Sequence, residues 1–178
     1  MNYIRYHEAE KLIRLYPLMQ STLESLQLNL ELLNQQEALD EDIYALCMGK
    51  HGEGIIPPKG TVTDITGNVA VAFRRTSKME ARELARDILL LSGIMNNIRI
   101  GLNSLLSLQR SVIELYYWGE QKTWTEVVME LKEQGKYVSV SQAKRIREQG
   151  IYRFIKAAKI TVDAYKNVIE IMEGREHN

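Results

Sequence analysis

The amino-acid sequence predicts an all-α fold. Apolar residues recur at three- and four-residue spacings along most of the chain, and serines or threonines stand where several of those runs need an N-terminal cap. No window alternates apolar and polar residues with the β-branched enrichment of a strand. The expected order is a long N-terminal helix or helix pair, central helices, and a C-terminal three-helix unit with an extended last helix.

The first element follows from Leu12, Tyr16, Met19, Leu23, Leu26, Leu30 and Leu33, whose alternating spacings keep them on one helical stripe. Pro17 interrupts it. Proline lacks an N–H and biases Tyr16 toward extended backbone, so a kink or a fresh helix start is expected there, and one helix or two fit the pattern.

From Cys47 to Gly67 the chain collects Gly49, Gly52, Gly54, Pro57, Pro58, Gly60 and Gly67, a composition that breaks helices. This divides the sequence into an N-terminal helical region (1–46), a linker (47–67), a central helical region (68–105) and a C-terminal domain (106–178). At the end of the linker Asp64 or Thr66 can cap a helix through Ala72, and Ser77 can cap a second one from Lys78 to about Leu105.

Residues 106–156 read as three short helices. The first runs to Tyr117 with Ser107 as its cap. The second starts at Thr123, where Glu126 three residues later completes a capping box, and the third starts at Ser139, where Gln142 does the same.

Charge sharpens the functional reading. The chain is neutral overall, but residues 1–60 carry five basic against nine acidic side chains, leaving −4. Residues 139–159 carry six basic side chains against Glu148 alone, leaving +5. A basic helix supported by two others suits duplex DNA, because a helix fits the major groove and presents Arg and Lys to guanine edges and phosphates. Ser139, Ser141, Gln142, Lys144, Arg145, Arg147 and Glu148 form the expected reading side. Lys156, Lys159 and Lys122 are expected on phosphates. Ile146, Ile151 and Phe154 are expected to pack on Val112, Ile113, Tyr116, Val127, Val128 and Leu131. The plainer reading of the same charges is a solvated helix face. Trp118 and Trp124 read as packing residues rather than stacking platforms for bases.

Other classes find little support. No run approaches the roughly 20 apolar residues of a membrane span, and the N-terminus lacks the apolar centre of a secretory signal, so a cytoplasmic protein is expected. Cys47 is the only cysteine, and His7, His51 and His177 have no ligand-like spacing, so no metal or cofactor is expected. The Gly49–Gly54 stretch lacks the Gly-Lys-Ser/Thr ending of a phosphate loop. His51 with Glu53 lacks a nucleophile or a second carboxylate, and no catalytic residue is assigned.

The C-terminal residues resemble the sigma-factor domain that reads the minus-35 promoter element, in the version carried by phage regulators of the RinA and ArpU type. The resemblance rests on Leu106, Ser107, Arg110, Val112, Ile113, Leu115 and Tyr116, on the Trp124–Val128 run, and on Ser139, Ala143, Arg145, Arg147, Ile151 and Phe154. Upstream, Asp64, Thr66, Gly67 and Ala70 resemble a turn found in the same regulators, so the likeness spans roughly residues 61–160. Between Val128 and Ser139 the chain departs from the family's tight turn, with Gly135 and Tyr137 in the extra stretch. The resemblance implies a sigma-like helix-turn-helix and a sequence-specific transcription regulator. It further implies an activator of phage or prophage late genes that binds promoter DNA beside RNA polymerase. The alternatives are the DNA-recognition subunit of a phage terminase and a helical interaction module that never touches DNA.

The last stripe, Ile151, Ile155, Ala158, Val162, Tyr165, Ile169 and Met172, keeps the four-three spacing toward Gly174, which predicts an extended recognition helix. Its partner is either the N-terminal stripe of the same chain or the same stripe of a second copy in a homodimer.

Overall fold

The structure, a computed structural model, describes residues 2–49, 65–118 and 122–174, with side chains described over 2–36, 78–118 and 122–174. Among these residues there are six helices and no strand: α1 (Tyr6–Gly49), α2 (Ile65–Asn103), α3 (Ser107–Tyr117), α4 (Trp124–Glu133), α5 (Val140–Ala158) and α6 (Val162–Glu173). The fold is all-α. No described helix is long and apolar enough to cross a membrane.

The chain forms two compact units, one of Met1–Leu23 with Leu89–Asn178 and one of Glu24–Ile88. In the first, α3, α4 and α5 pack on one another around Val112, Val127 and Leu131, with Leu108, Leu115, Tyr116, Trp124, Val138 and Ile146 closing over that core. Ile113, Ile151 and Phe154 are fully buried. The beginning of α1 contributes Ala9, Leu12, Ile13 and Met19, the end of α2 contributes Leu91, Ile94, Ile98 and Leu102, and α6 contributes Val168 and Ile171. At Gly101 the α2 backbone comes so close to α5 that a Cβ would sit 2.5 Å from the Phe154 ring and 2.9 Å from Ala158 Cβ. Only glycine fits there.

The N-terminal segment is pinned to the link between α5 and α6. Ile4 N–H donates to Ile160 O at 3.1 Å and Val162 N–H to Asn2 O at 3.0 Å, an antiparallel bridge centred on Tyr3 and Thr161. Ile4 and Ile160 are both buried beside it. Lys11 Nζ meets Glu173 Oε1 at 2.9 Å, joining α1 to α6.

The second unit holds the later part of α1 and the earlier part of α2. On α1, Leu26 is buried and Leu30 and Leu33 are half-buried, whereas Leu28 and Leu32 are exposed, so the stripe read in the sequence is the covered face.

Four boundaries settle or differ from the sequence expectation. First, of the one helix or two that fit the pattern, α1 is one, helical through Pro17 with no fresh start there. A proline removes the bond to the carbonyl four residues back, and here Trp118 Nε1–H donates to that carbonyl, Ile13 O, at 2.7 Å. Second, Ser77 starts no helix, because α2 is continuous from Ile65 to Asn103 and contains Thr66 as well. A serine's capping preference is weak against an apolar stripe that continues through Leu84, Ile88, Leu91, Ile98 and Leu102. Asp64 and most of the expected linker, residues 50–64, lie outside the described residues, while Cys47–Gly49 belong to α1 and Ile65–Gly67 to α2.

Third, the cap of α3 is Leu106, not Ser107. Gln109 Oε1 accepts from Leu106 N–H at 3.1 Å, and Ser107 is the first helical residue. Fourth, the basic helix that begins at Ser139 does not extend toward Gly174. Lys159 adopts the left-handed conformation (φ 49°, ψ 37°) and ends α5, and Thr161 caps a separate α6 by accepting from Ala164 N–H at 3.3 Å. The break shifts the phase of the stripe: Val168 and Ile171 are buried, while Tyr165, Ile169 and Met172 are only half-buried.

Candidate nucleic-acid interface

The basic helix α5 is anchored at its start by the capping box that the sequence predicts. Ser139 Oγ accepts from Gln142 N–H at 3.3 Å, and Gln142 Oε1 accepts from Ser139 N–H at 2.8 Å. The second helix begins the same way, with Thr123 and Glu126 reciprocally bonded. The backbone and hydroxyl of Thr123 both donate to Glu126 and hold its carboxyl below the usual carboxylate range.

Between them lies the lengthened turn. Gly135 takes a positive φ of 76°, with its N–H bonded to Lys132 O at 2.9 Å and Lys136 N–H bonded to Leu131 O at 2.8 Å. This is a Schellman stop, which uses glycine because a side chain is strained at that φ. Lys136 Nζ then reaches back to Ser111 Oγ on α3. The turn is therefore fixed to the body of the three-helix unit.

On α5 the faces separate by helical spacing. Ala143, Gly150, Ile151, Phe154 and Ala158 are buried, and Ser141, Gln142, Lys144, Arg145, Glu148, Tyr152 and Lys156 are exposed. Ser141, Arg145, Glu148, Tyr152 and Lys156 share one outward line. Arg145 makes no hydrogen bond, ion pair or ring contact among the described residues, so its guanidinium is available to a partner. The Gln142 amide nitrogen has no hydrogen-bond partner among the described residues, while its oxygen serves the cap. Lys144 extends over the Trp124 ring at 5.9 Å, its side chain still exposed.

Arg147 differs from the expectation of an exposed reading residue. Its side chain is only 22% exposed, and its guanidinium lies 5.1 Å from the Tyr116 ring and 5.3 Å from the Trp124 ring. Those two rings stack on each other at 4.3 Å. One terminal nitrogen pairs with Glu10 Oε1 at 3.6 Å, and Nε is buried with no hydrogen-bond partner among the described residues. Glu10 Oε1 also accepts from the Tyr117 hydroxyl at 2.7 Å. Burial, then this bond, raises the Tyr117 pKa well above its ordinary value. Arg147 therefore ties α5 to α1 and to the aromatic pair. It stands four residues from both Ala143 and Ile151, which is the signal that places it on the inner stripe. Glu10 carries no such signal, because a carboxylate in the first turns of an acidic helix looks like any other surface charge.

Other basic residues are also committed. Lys122, expected on a phosphate, is held by Glu130 at 2.6 Å. Arg110 caps the end of α2 through Leu102 O at 2.9 Å and Asn103 Oδ1 at 3.1 Å, and Arg153 Nε donates to Ser104 O at 2.6 Å. Lys156 and Lys159 remain exposed. The tryptophans pack as expected, Trp118 against Tyr16 at 5.6 Å and Trp124 against Tyr116. Among the described residues no three His, Cys, Asp or Glu side chains come together in a way that could hold a metal ion.

No protein-family model, no curated protein and no solved structure matches the chain.

Proposed function

We propose that this chain is a sequence-specific DNA-binding protein in which the N-terminal half of α5 enters the major groove and regulates transcription. The observation that carries the reading is the division of α5. A buried inner stripe fixes the helix on α3 and α4, while Arg145, Lys144, Gln142 and Ser141 stand exposed together at its N-terminal end. A bidentate Arg145 on a guanine edge supplies discrimination, and Gln142 can donate to a second base through its amide nitrogen. Lys156, about three turns along the same line, suits a phosphate and adds affinity without choice of sequence. Promoter DNA and RNA polymerase as partners, and activation of phage genes as the outcome, rest on the sigma-like motif residues alone.

Selection of bound duplexes from a random pool tests the reading. The wild type enriches a defined sequence, and Arg145→Ala enriches a more degenerate one. Recovery of no preferred sequence by the wild type contradicts sequence recognition and leaves the three-helix unit as a protein-binding module.

A further inference from the structure

The lengthened turn between α4 and α5 presents Tyr137 to solvent. The residue is 79% exposed, the most exposed of the large apolar side chains among the described residues. Its hydroxyl has no hydrogen-bond partner among the described residues. Its neighbours on both sides are anchored. Lys136 bonds to Ser111 Oγ and, at 3.1 Å, to Gln134 Oε1, and Val138 packs against the Val112, Val127 and Leu131 core. The Gly135 stop fixes the entry to the turn and the Ser139 cap fixes its exit. A mobile loop tip could expose an aromatic ring by chance of conformation, but this turn holds Tyr137 outward from two fixed flanks.

We infer that Tyr137 is a DNA-backbone contact whose phenol hydroxyl donates a hydrogen bond to a phosphate at the edge of the groove that α5 enters. Position supports it. Two residues of chain, at most about 7 Å, separate Tyr137 from the cap Ser139, and about 9 Å of helix separate the cap from Arg145. With Arg145 on a base edge, the phenol lies within reach of the phosphates that border a major groove about 12 Å wide. Chemistry supports it as well. Tyrosine is a regular donor to backbone phosphates, it has only two rotatable bonds to immobilise, and the fixed turn has already met most of the ordering cost. The extra residues of this turn then have a role, because they carry a neutral donor to the DNA backbone.

This inference rests on the DNA-binding reading, and the test keeps the two apart. Tyr137→Phe and Tyr137→Ala are compared with wild type and Arg145→Ala by equilibrium binding to the preferred duplex and to random duplex across a salt series, with thermal melts to confirm folding. Both Tyr137 variants lose about tenfold in affinity, by the same factor on either duplex. The salt dependence stays unchanged, because a neutral phenol releases no counterion. Phe binding like wild type overturns the hydroxyl contact while leaving the DNA reading intact. A Phe variant with altered sequence preference also overturns it, since the hydroxyl then reads a base. A wild type that binds no duplex overturns both.

Discussion

The indole N–H of Trp118 donates to the carbonyl of Ile13 at 2.7 Å, the one acceptor that Pro17 deprives of its helical donor. A residue just after α3 thereby repairs a defect inside α1. Trp118→Phe keeps the ring against Tyr16 but leaves the carbonyl unpaired, and it is expected to cost about 1–3 kcal/mol. In a Pro17→Ala background the backbone N–H restored at that position can take the carbonyl, so the same substitution costs less. A double-mutant cycle by urea unfolding measures the coupling, and strictly additive effects contradict it.

Arg145 and Arg147 separate in experiment. Arg145→Ala removes an exposed side chain with no partner among the described residues and leaves the melting temperature nearly unchanged. Arg147→Ala strips Glu10 and the Tyr116–Trp124 pair of their cation and destabilises the fold by about 1–3 kcal/mol. Thermal melts of the two variants decide it, and equal losses contradict the assignment.

Tyr117 gives the molecule an alkaline limit. Burial and its bond to Glu10 raise its pKa in the folded state. Below the unfolded value of about 10 the phenol is protonated in both states and its contribution is complete. As pH rises above that value the unfolded chain gives up the proton and the folded one resists, so stability falls. Urea midpoints measured from neutral to strongly alkaline pH show the decline in wild type, and Tyr117→Phe flattens it. Parallel profiles for the two proteins contradict the account.

Gly101 tests the approach of α2 to α5. Gly101→Ala places a Cβ 2.5 Å from the fully buried Phe154 ring, so the ring or the backbone must shift, and the overpacking costs about 1–3 kcal/mol. Gly101→Ala with Phe154→Leu recovers part of that loss. A single variant as stable as wild type contradicts the close contact.

Much of this is legible in the sequence where the governing signal is local. The Thr123–Glu126 and Ser139–Gln142 boxes mark two helix starts correctly because a capping box is complete within four residues. The inner stripe of α5 follows from spacing alone. The misses come from distant partners. Nothing near Pro17 announces that Trp118 satisfies Ile13, so the local pattern leaves one helix or two open there. The end of α5 is set by a left-handed Lys159 and by backbone pairing of residues 160–162 with Asn2 and Ile4, more than 150 positions away. Charge alone groups Arg147 with the exposed cations, although its register with Ala143 and Ile151 points inward.

The most direct test of the central claim is equilibrium binding of the purified protein to duplex DNA fragments from its own genetic neighbourhood as salt is raised, beside Arg145→Ala. The account predicts one fragment bound well above random DNA, affinity that falls steeply with salt, and a preference that Arg145→Ala erases. Binding no better than to random duplex, even at low salt, contradicts it and makes the exposed face of α5 a surface for a protein partner.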